Sequence, residues 1–340
     1  SVALGCDEIP EYFFIYSSNF VTDCLRNLTE GRSMKVFLMT IALSLLALAL
    51  VEWVLRLRFG FGNPLLYVGD PDIGYLIAPN QSVVRNGNAI RINPFSMRSE
   101  PFESQKSPGE IRLFFIGDSV VNGGWWTPQD SIISEQVKRE LQKAGTPISV
   151  LNASANSWSP RSELAYLQRF GTFDASTVVL VINTDDLFAT APTSLVVGHH
   201  PNYPDRKPVA AIVEIVNREW LSRQPTSPAL QAVYDETGDR VGKALDAIAK
   251  IHAIAQANQA TFLLVMTPLL REVETAPRDY EITARKRLGE LLLSNQIQSI
   301  DMLPIFKTNG NPKSLYHDHI HLNQRGNQQV SDRVLQWLSQ

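Results

Sequence analysis

At 340 residues the chain can hold one large domain with appendages or two modest domains, and its 44% hydrophobic content suits a folded core of ordinary size. Its 31 basic against 34 acidic residues leave a formal charge of -3, without the electropositive footprint that nucleic-acid binding needs, so no nucleic acid is expected among its partners. Both cysteines, Cys6 and Cys24, precede a long apolar segment, which leaves everything downstream without a disulfide or a thiolate metal site; a metal there would need His and carboxylate ligands.

Residues 1–33 carry no domain-like pattern and Met34-Lys35 reads as a start, so this stretch is expected to be unstructured or translated from upstream. Residues 36–55, VFLMTIALSLLALALVEWVL, hold one charge, Glu52. As a helix rising about 1.5 Å per residue they would span about 30 Å, the hydrocarbon core of a bilayer. Two readings stay open: an uncleaved anchor within 34–58, or a signal peptide cleaved at Ala47-Leu48-Ala49. The anchor is preferred because the apolar pattern runs past those alanines to Trp53, which suits an interface, and then to Arg56 and Arg58. Residues 59–108 follow, rich in Gly, Pro and Asn with short alternating stretches such as Ser82-Val83-Val84 and Ala89-Ile90-Arg91-Ile92, and read as a small irregular or β-hairpin region.

Beyond Pro108 apolar β-rich runs alternate with amphipathic helical stretches, the rhythm of a parallel sheet. Strands are predicted at 111–116, 148–151, 177–182, 261–266 and 297–300, each nearly continuous in apolar residues, as strands covered on both faces are. Helices are predicted between them at 129–144, 160–170, 238–257, 280–294 and 324–338. The fold class is therefore α/β, a three-layer α/β/α sandwich on a parallel sheet of about five strands, occupying 109–340. The interval 187–237 is too long for an ordinary connection; with a helix predicted over 211–220, it reads as an insertion that could cover a site.

Ligands of open α/β sheets bind beyond the carboxyl ends of the strands, so polar residues just after strands are the candidates for chemistry. The first strand ends in Gly117-Asp118-Ser119, where a small residue before a polar turn lets a serine project with its own N–H facing the same space. Gly-Asp-Ser also makes an ordinary turn. The second strand ends in Asn152-Ala153-Ser154-Ala155-Asn156-Ser157, the third in Asn183-Thr184-Asp185-Asp186. Near the carboxyl end, Asp318 and His321 stand three residues apart on a tight segment, where a carboxylate can hold an imidazole in the tautomer that accepts a serine proton. His317, His319 and His321 alternate without a matching ligand cluster elsewhere, so neither metal nor cofactor is expected. Trp125-Trp126 is open to two readings, a pocket wall or a cover for the core, and Arg161 to two others, a solvated helix charge or a contact to an anionic substrate.

These ordered blocks resemble the SGNH/GDSL hydrolase superfamily, named for four blocks holding Ser, Gly, Asn and His, over roughly 111–338. The resemblance implies a flavodoxin-like fold, Ser119 as nucleophile, His321 as base and Asp318 as its partner, with an oxyanion hole at Ser119, Ser157 and Asp185. The apolar segment followed by Gly74-Tyr75 and Pro79-Asn80 also resembles membrane-anchored bacterial members, which implies an extracytoplasmic catalytic domain. Two blocks depart from the pattern: Ser157 stands where the superfamily has glycine, and Asp185 where it has the oxyanion-donating asparagine. An ionised carboxylate accepts hydrogen bonds and repels an oxyanion, and loss of one donor costs about 2.7–4 kcal/mol. Asp185 could donate if kept protonated, Asn183 could bring its amide instead, or the hole is impaired. The expected function is hydrolysis of a small-molecule or carbohydrate ester, with acylated envelope polysaccharide as the substrate suggested by location. The alternatives are O-acyl transfer and a non-catalytic membrane-held assembly module.

Overall fold

The computed structural model describes residues 31–143, 145 and 147–340. The expectations for 1–30, including Cys6 and Cys24, and for Ala144 at the end of one predicted helix lie outside the described residues. The chain divides into two units between Val54 and Leu55. Of the first unit the described part is one helix, α1 (Gly31–Val54), built of Leu, Ala, Met and Val without an internal glycine or proline. From Met34 onward nearly all its side chains are exposed, although they are apolar all round. The stretch Met34–Phe59 is long and apolar enough to cross a membrane, a test that a signal sequence also passes.

The second unit opens with a single π-helical turn (Leu55–Phe59) and two antiparallel hairpins, β1 (Tyr67–Asp70) with β2 (Gly74–Ile77) and β3 (Gln81–Arg85) with β4 (Asn88–Ile92). Asp70 caps the first turn by accepting from the N–H groups of Asp72 and Ile73. The second turn is Asn86-Gly87, both with positive φ (48° and 83°), the conformation a two-residue hairpin loop requires and these residues tolerate. Inward residues of the hairpins, Tyr67, Ile77, Val83 and Ile90 among them, join the same hydrophobic core as one face of the main sheet.

That sheet is fully parallel, in the order β6-β5-β7-β8-β9, with β5 Ile111–Gly117, β6 Ile148–Ser154, β7 Thr177–Asn183, β8 Thr261–Thr267 and β9 Gln298–Asp301. Alternation along the strands splits the interior in two. Phe114, Ile116, Val178, Leu180 and Leu264 face helices α4 (Pro160–Phe170), α7 (Arg240–Ala257) and α9 (Asp279–Ser294). Leu113, Phe115, Val179, Val181 and Val265 face α3 (Ile133–Lys143), α8 (Leu270–Glu274), α10 (Met302–Lys307) and α11 (Gln324–Leu338). This is the three-layer α/β/α sandwich of the sequence analysis. Its strand order changes direction at β5, which places the crevice for a ligand at the carboxyl end of that strand.

Several elements differ in extent from the sequence reading. The strand predicted at 148–151 continues to Ser154, because Asn152 donates to Val121 O and Ser134 Oγ while Ser154 Oγ donates to Asn152 Oδ1, giving buried polar strand residues partners. The helix predicted from 129 begins as a 3-10 turn (Gln129–Ser131), and the extended backbone of Ile132 separates it from α3. Gln129 Oε1 is instead an acceptor for Arg98 Nε and Arg91 N. The interval 187–237 carries α5 (Ala211–Ser222) and α6 (Pro228–Tyr234), and its buried Glu214 accepts from Gly62 N at 2.6 Å and pairs with Arg85 at 2.7 Å.

Candidate active site

Strand β5 delivers Ser119 through a turn that only a glycine at 117 permits: a Cβ there would sit 2.5 Å from both Val181 O and a Val121 methyl. Asp118 caps the single helical turn α2 (Ser119–Asn122) by accepting from Val120 N at 2.8 Å, and Gly123, at φ +76°, ends it by donating its N–H to Ser119 O at 2.8 Å. Asp118 is buried. Burial raises its pKa, and hydrogen bonds, including that from Asn183 Nδ2 at 2.8 Å, offset part of the rise.

The imidazole that meets Ser119 approaches from the other end of the chain. Residues 316–322 form a tight loop closed by a bridge between Tyr316 and Leu322 and by His317 N donating to His321 O at 2.8 Å. Asp318 Oδ1 accepts from the N–H groups of Ile320 (2.9 Å) and His321 (2.8 Å), and Oδ2 faces His321 Nδ1 at 2.7 Å. Burial would raise the Asp318 pKa, but those N–H groups and the imidazole outweigh it and hold the carboxyl at about 2. An ionised Asp318 only accepts, so Nδ1 carries the proton and Nε2 is left as the acceptor, 2.8 Å from Ser119 Oγ. The hydroxyl has a second acceptor in Asp118 Oδ2, at 3.2 Å, and the imidazole is the nearer. Trp126 packs at 55° against His321 with centroids 4.5 Å apart and stacks on His317 at 5.0 Å, so its indole contacts both imidazoles.

Ser119, His321, Trp125, Trp126, Asn156 and Ser157 line one cavity of about 280 Å³. Ser157 has φ +56°, the left-handed region that the usual glycine enters freely and serine enters at a cost of order 1 kcal/mol. Two tyrosines hold that strained loop: Tyr75 OH donates to Asn156 O at 2.5 Å and Tyr203 OH to Ser157 Oγ at 2.9 Å. Asp185 does not line the cavity. It is only partly covered, its N–H donates to Asn183 Oδ1 at 2.7 Å, and that partial burial, followed by the charges of Glu281 and Glu272, raises its pKa. The Asn183 amide is turned inward, with Nδ2 on Asp118 and Oδ1 on Asp185 N, so neither residue presents a donor to the cavity wall.

The sequence model of the GDSL-like lipase/acylhydrolase family matches residues 115–329. The chain belongs to that family. As a GDSL-like acylhydrolase it is a hydrolase acting on ester bonds. Among solved structures it is similar to an acetyl xylan esterase (15% identity over 67% of this chain and 99% of that one, TM-score 0.46). It is similar also to a lipase/acylhydrolase from Enterococcus faecalis (14%, 67% and 95%, 0.43) and to a GDSL-like lipase from Bacteroides thetaiotaomicron (13%, 69% and 91%, 0.43). No curated protein matches the chain.

Around this GDSL serine the structure brings in residues that no sequence pattern flagged. Arg98, fully buried, donates to three carbonyls that follow Ser119: Asn122 O at 2.5 Å, Gly124 O at 2.6 Å and Thr127 O at 2.7 Å. Burial pushes its pKa down to about 9. Glu163, on α4, is also fully buried, and neither carboxyl oxygen has a partner among the described residues. Burial, then the charge of Asp118, raises its pKa well above the ordinary carboxylate value, and Asp186 is raised likewise by burial and by Asp118 and Glu163. Behind the serine lies a group of buried acids held toward their neutral forms. Arg161 pairs with Glu236 at 2.8 Å, and His319 is exposed outside the cavity lining, so neither faces the serine. Among the described residues no group of His, Cys, Asp and Glu is arranged to hold a metal ion.

Proposed function

We propose that the chain cleaves its ester through an acyl-serine formed on Ser119. In this reading His321 Nε2 takes the Ser119 hydroxyl proton as Oγ attacks the ester carbonyl, and the tetrahedral oxyanion is met by the N–H groups of Ser119 and Ser157. Collapse of that intermediate breaks the bond to the alcohol, which leaves with the proton from His321; water or an acceptor hydroxyl then repeats the steps on the acyl-serine. Asp318 keeps His321 oriented and stabilises its charged form. The observation carrying the proposal is the continuous relay of 2.7 Å and 2.8 Å contacts from Asp318 through His321 to Ser119. Residues 109–340 with the insertion 187–237 would form the hydrolase domain, 59–108 a β region before it, and 34–58 an anchor or signal.

An acylated envelope polysaccharide is the substrate class this reading favours, because α1 suits a bilayer and Trp125 and Trp126 line the cavity with aromatic surface of the kind sugars stack on. Slow turnover is a second reading, favoured by one observation: Asp185, where the family resemblance implies an amide donor, lies off the cavity wall. A fluorophosphonate probe tests the nucleophile. Labelling at Ser119, lost in Ser119→Ala together with hydrolysis of a small aryl ester, is the expected result. Unchanged hydrolysis by a folded Ser119→Ala protein would remove Ser119 from the reaction.

A further inference from the structure

The cavity has a second wall that ester cleavage does not require. Arg85 comes from β3 and Arg218 from α5 of the insertion, and both line the space that contains Ser119 and His321, whose lining includes no Asp or Glu. The two cations are not equivalent. Arg85 donates to Glu214 through both terminal nitrogens (2.7 and 3.3 Å) and to Gly60 O at 2.8 Å, so its charge is matched by a buried carboxylate. Arg218 donates to two neutral acceptors, Pro201 O at 2.7 Å and Asn202 Oδ1 at 3.1 Å, and forms no ion pair among the described residues. Glu214 is the carboxylate nearest in effect, but Arg85 and Gly62 N already engage it, which leaves two guanidinium groups against one acid. Only two of the five N–H groups of Arg218 are taken, and neutral contacts hold it at the cavity wall. Burial disfavours its charge there, as does nearby Arg85, so an incoming anion would relieve both.

We infer that this wall is an anion subsite, and that the ester bound here carries a carboxylate or a phosphate held by Arg218 with the Arg85–Glu214 pair behind it. The inference rests on the reading of Ser119 as the nucleophile and narrows its substrate to anionic esters. A planar guanidinium with open donors suits both oxyanions, so an acetylated uronic-acid sugar and an acetylated sugar phosphate or glycerol phosphate are the two chemical sources.

The test compares three acetyl esters on the full chain: methyl glucoside acetate, methyl glucuronoside acetate and glycerol phosphate acetate. At low salt kcat/KM for one anionic ester should exceed that for the neutral one by about 10- to 100-fold, the range of a charge-assisted hydrogen-bonded contact. The preferred anion separates carboxylate from phosphate. In Arg218→Gln the anionic-to-neutral ratio should fall to about one, and Arg218→Lys, which keeps charge without the planar fork, should retain part of it. Equal kcat/KM for all three esters on protein that fluorophosphonate labels at Ser119, or a ratio that Arg218→Gln leaves unmoved, would overturn the subsite. Absence of labelling would instead overturn the nucleophile. The subsite is then decided by tryptophan-fluorescence titration with glucuronate and with inorganic phosphate: saturable binding that Arg218→Gln abolishes supports it, and identical curves for wild type and variant reject it.

Discussion

The carboxyl ends of β5 and β7 are neighbours in one sheet, with Gly117 in register with Val181, yet they handle polar residues in opposite ways. At the end of β5, a glycine turn, a one-turn helix and Arg98 hold Ser119 toward a cavity, and the hydroxyl meets an imidazole. At the end of β7, Asn183, Thr184 and Asp186 are buried and bonded into the protein: Asn183 N to Asp186, Asn183 Nδ2 to Asp118, and Thr184 Oγ1 to Glu272 at 2.6 Å. One strand end presents a hydroxyl to the cavity and the other braces it from behind. Polar residues after a strand therefore mark a candidate site without saying which of them face the ligand.

Four experiments break or sharpen that contrast. The largest effect belongs to the relay at β5: under the proposed mechanism His321→Ala should lower kcat for a small aryl ester about 100- to 10,000-fold, and adding it to Ser119→Ala should cost little more, because a base and a nucleophile that share one proton lose their function together. Additive losses would mean that they act separately. Next is the clamp. Arg98→Met leaves three buried carbonyls without a donor, so urea unfolding should show a loss of roughly 3 kcal/mol, with kcat falling as the 119–127 loop loosens. A variant of native stability and kcat would reduce Arg98 to filler.

Third, Glu163→Gln probes the acids behind the serine. A folded-state pKa well above 4.5 means that the folded chain holds a proton the unfolded chain releases, so this group's contribution to stability falls as pH rises above about 4.5 toward its folded value. The slope per group is at most about 1.4 kcal/mol per pH unit, and Glu163→Gln should remove it, making denaturation midpoints flatter between pH 5 and 8. Parallel profiles would show that Glu163 is ionised in the fold. The smallest change is expected at Asp185. Because it lies off the cavity wall, Asp185→Asn should alter kcat by less than about threefold, whereas a rise approaching 100-fold, the scale of one oxyanion donor, would put the side chain at 185 into the hole.

Much of the architecture was legible before folding. Five apolar runs separated by amphipathic stretches correspond to the five parallel strands and their helices, since burial on both faces leaves a continuous apolar signature. The alternating stretches at 82–84 and 89–92 likewise became a hairpin, whose Asn86-Gly87 turn forms through local backbone preference. Gly117-Asp118-Ser119 and Asp318-His321 were readable as motifs because their geometry is local: a glycine that admits a close approach, a carboxylate that binds N–H groups two and three residues on. Ser157 was readable as a departure from glycine, and its left-handed backbone shows why glycine is usual there.

What lay beyond the sequence is whatever depends on partners distant along the chain. A buried arginine such as Arg98 looks like any other charge until the loop it clamps is folded over it. Glu163 sits in a helix whose pattern does not reveal that its face is dry. The direction of Asp185 depends on Asn183, which Asp118 holds from the neighbouring strand. Arg85 and Arg218 are separated by a whole sheet in sequence and share a wall only once the insertion packs on the hairpins. Periodicity and turn chemistry act over a few residues, and so the sequence by itself determined the layers, the strand ends and the serine. Electrostatics and hydrogen bonding act through space, and so only the tertiary structure decided which polar groups are buried, which are held toward their neutral forms and which face the cavity.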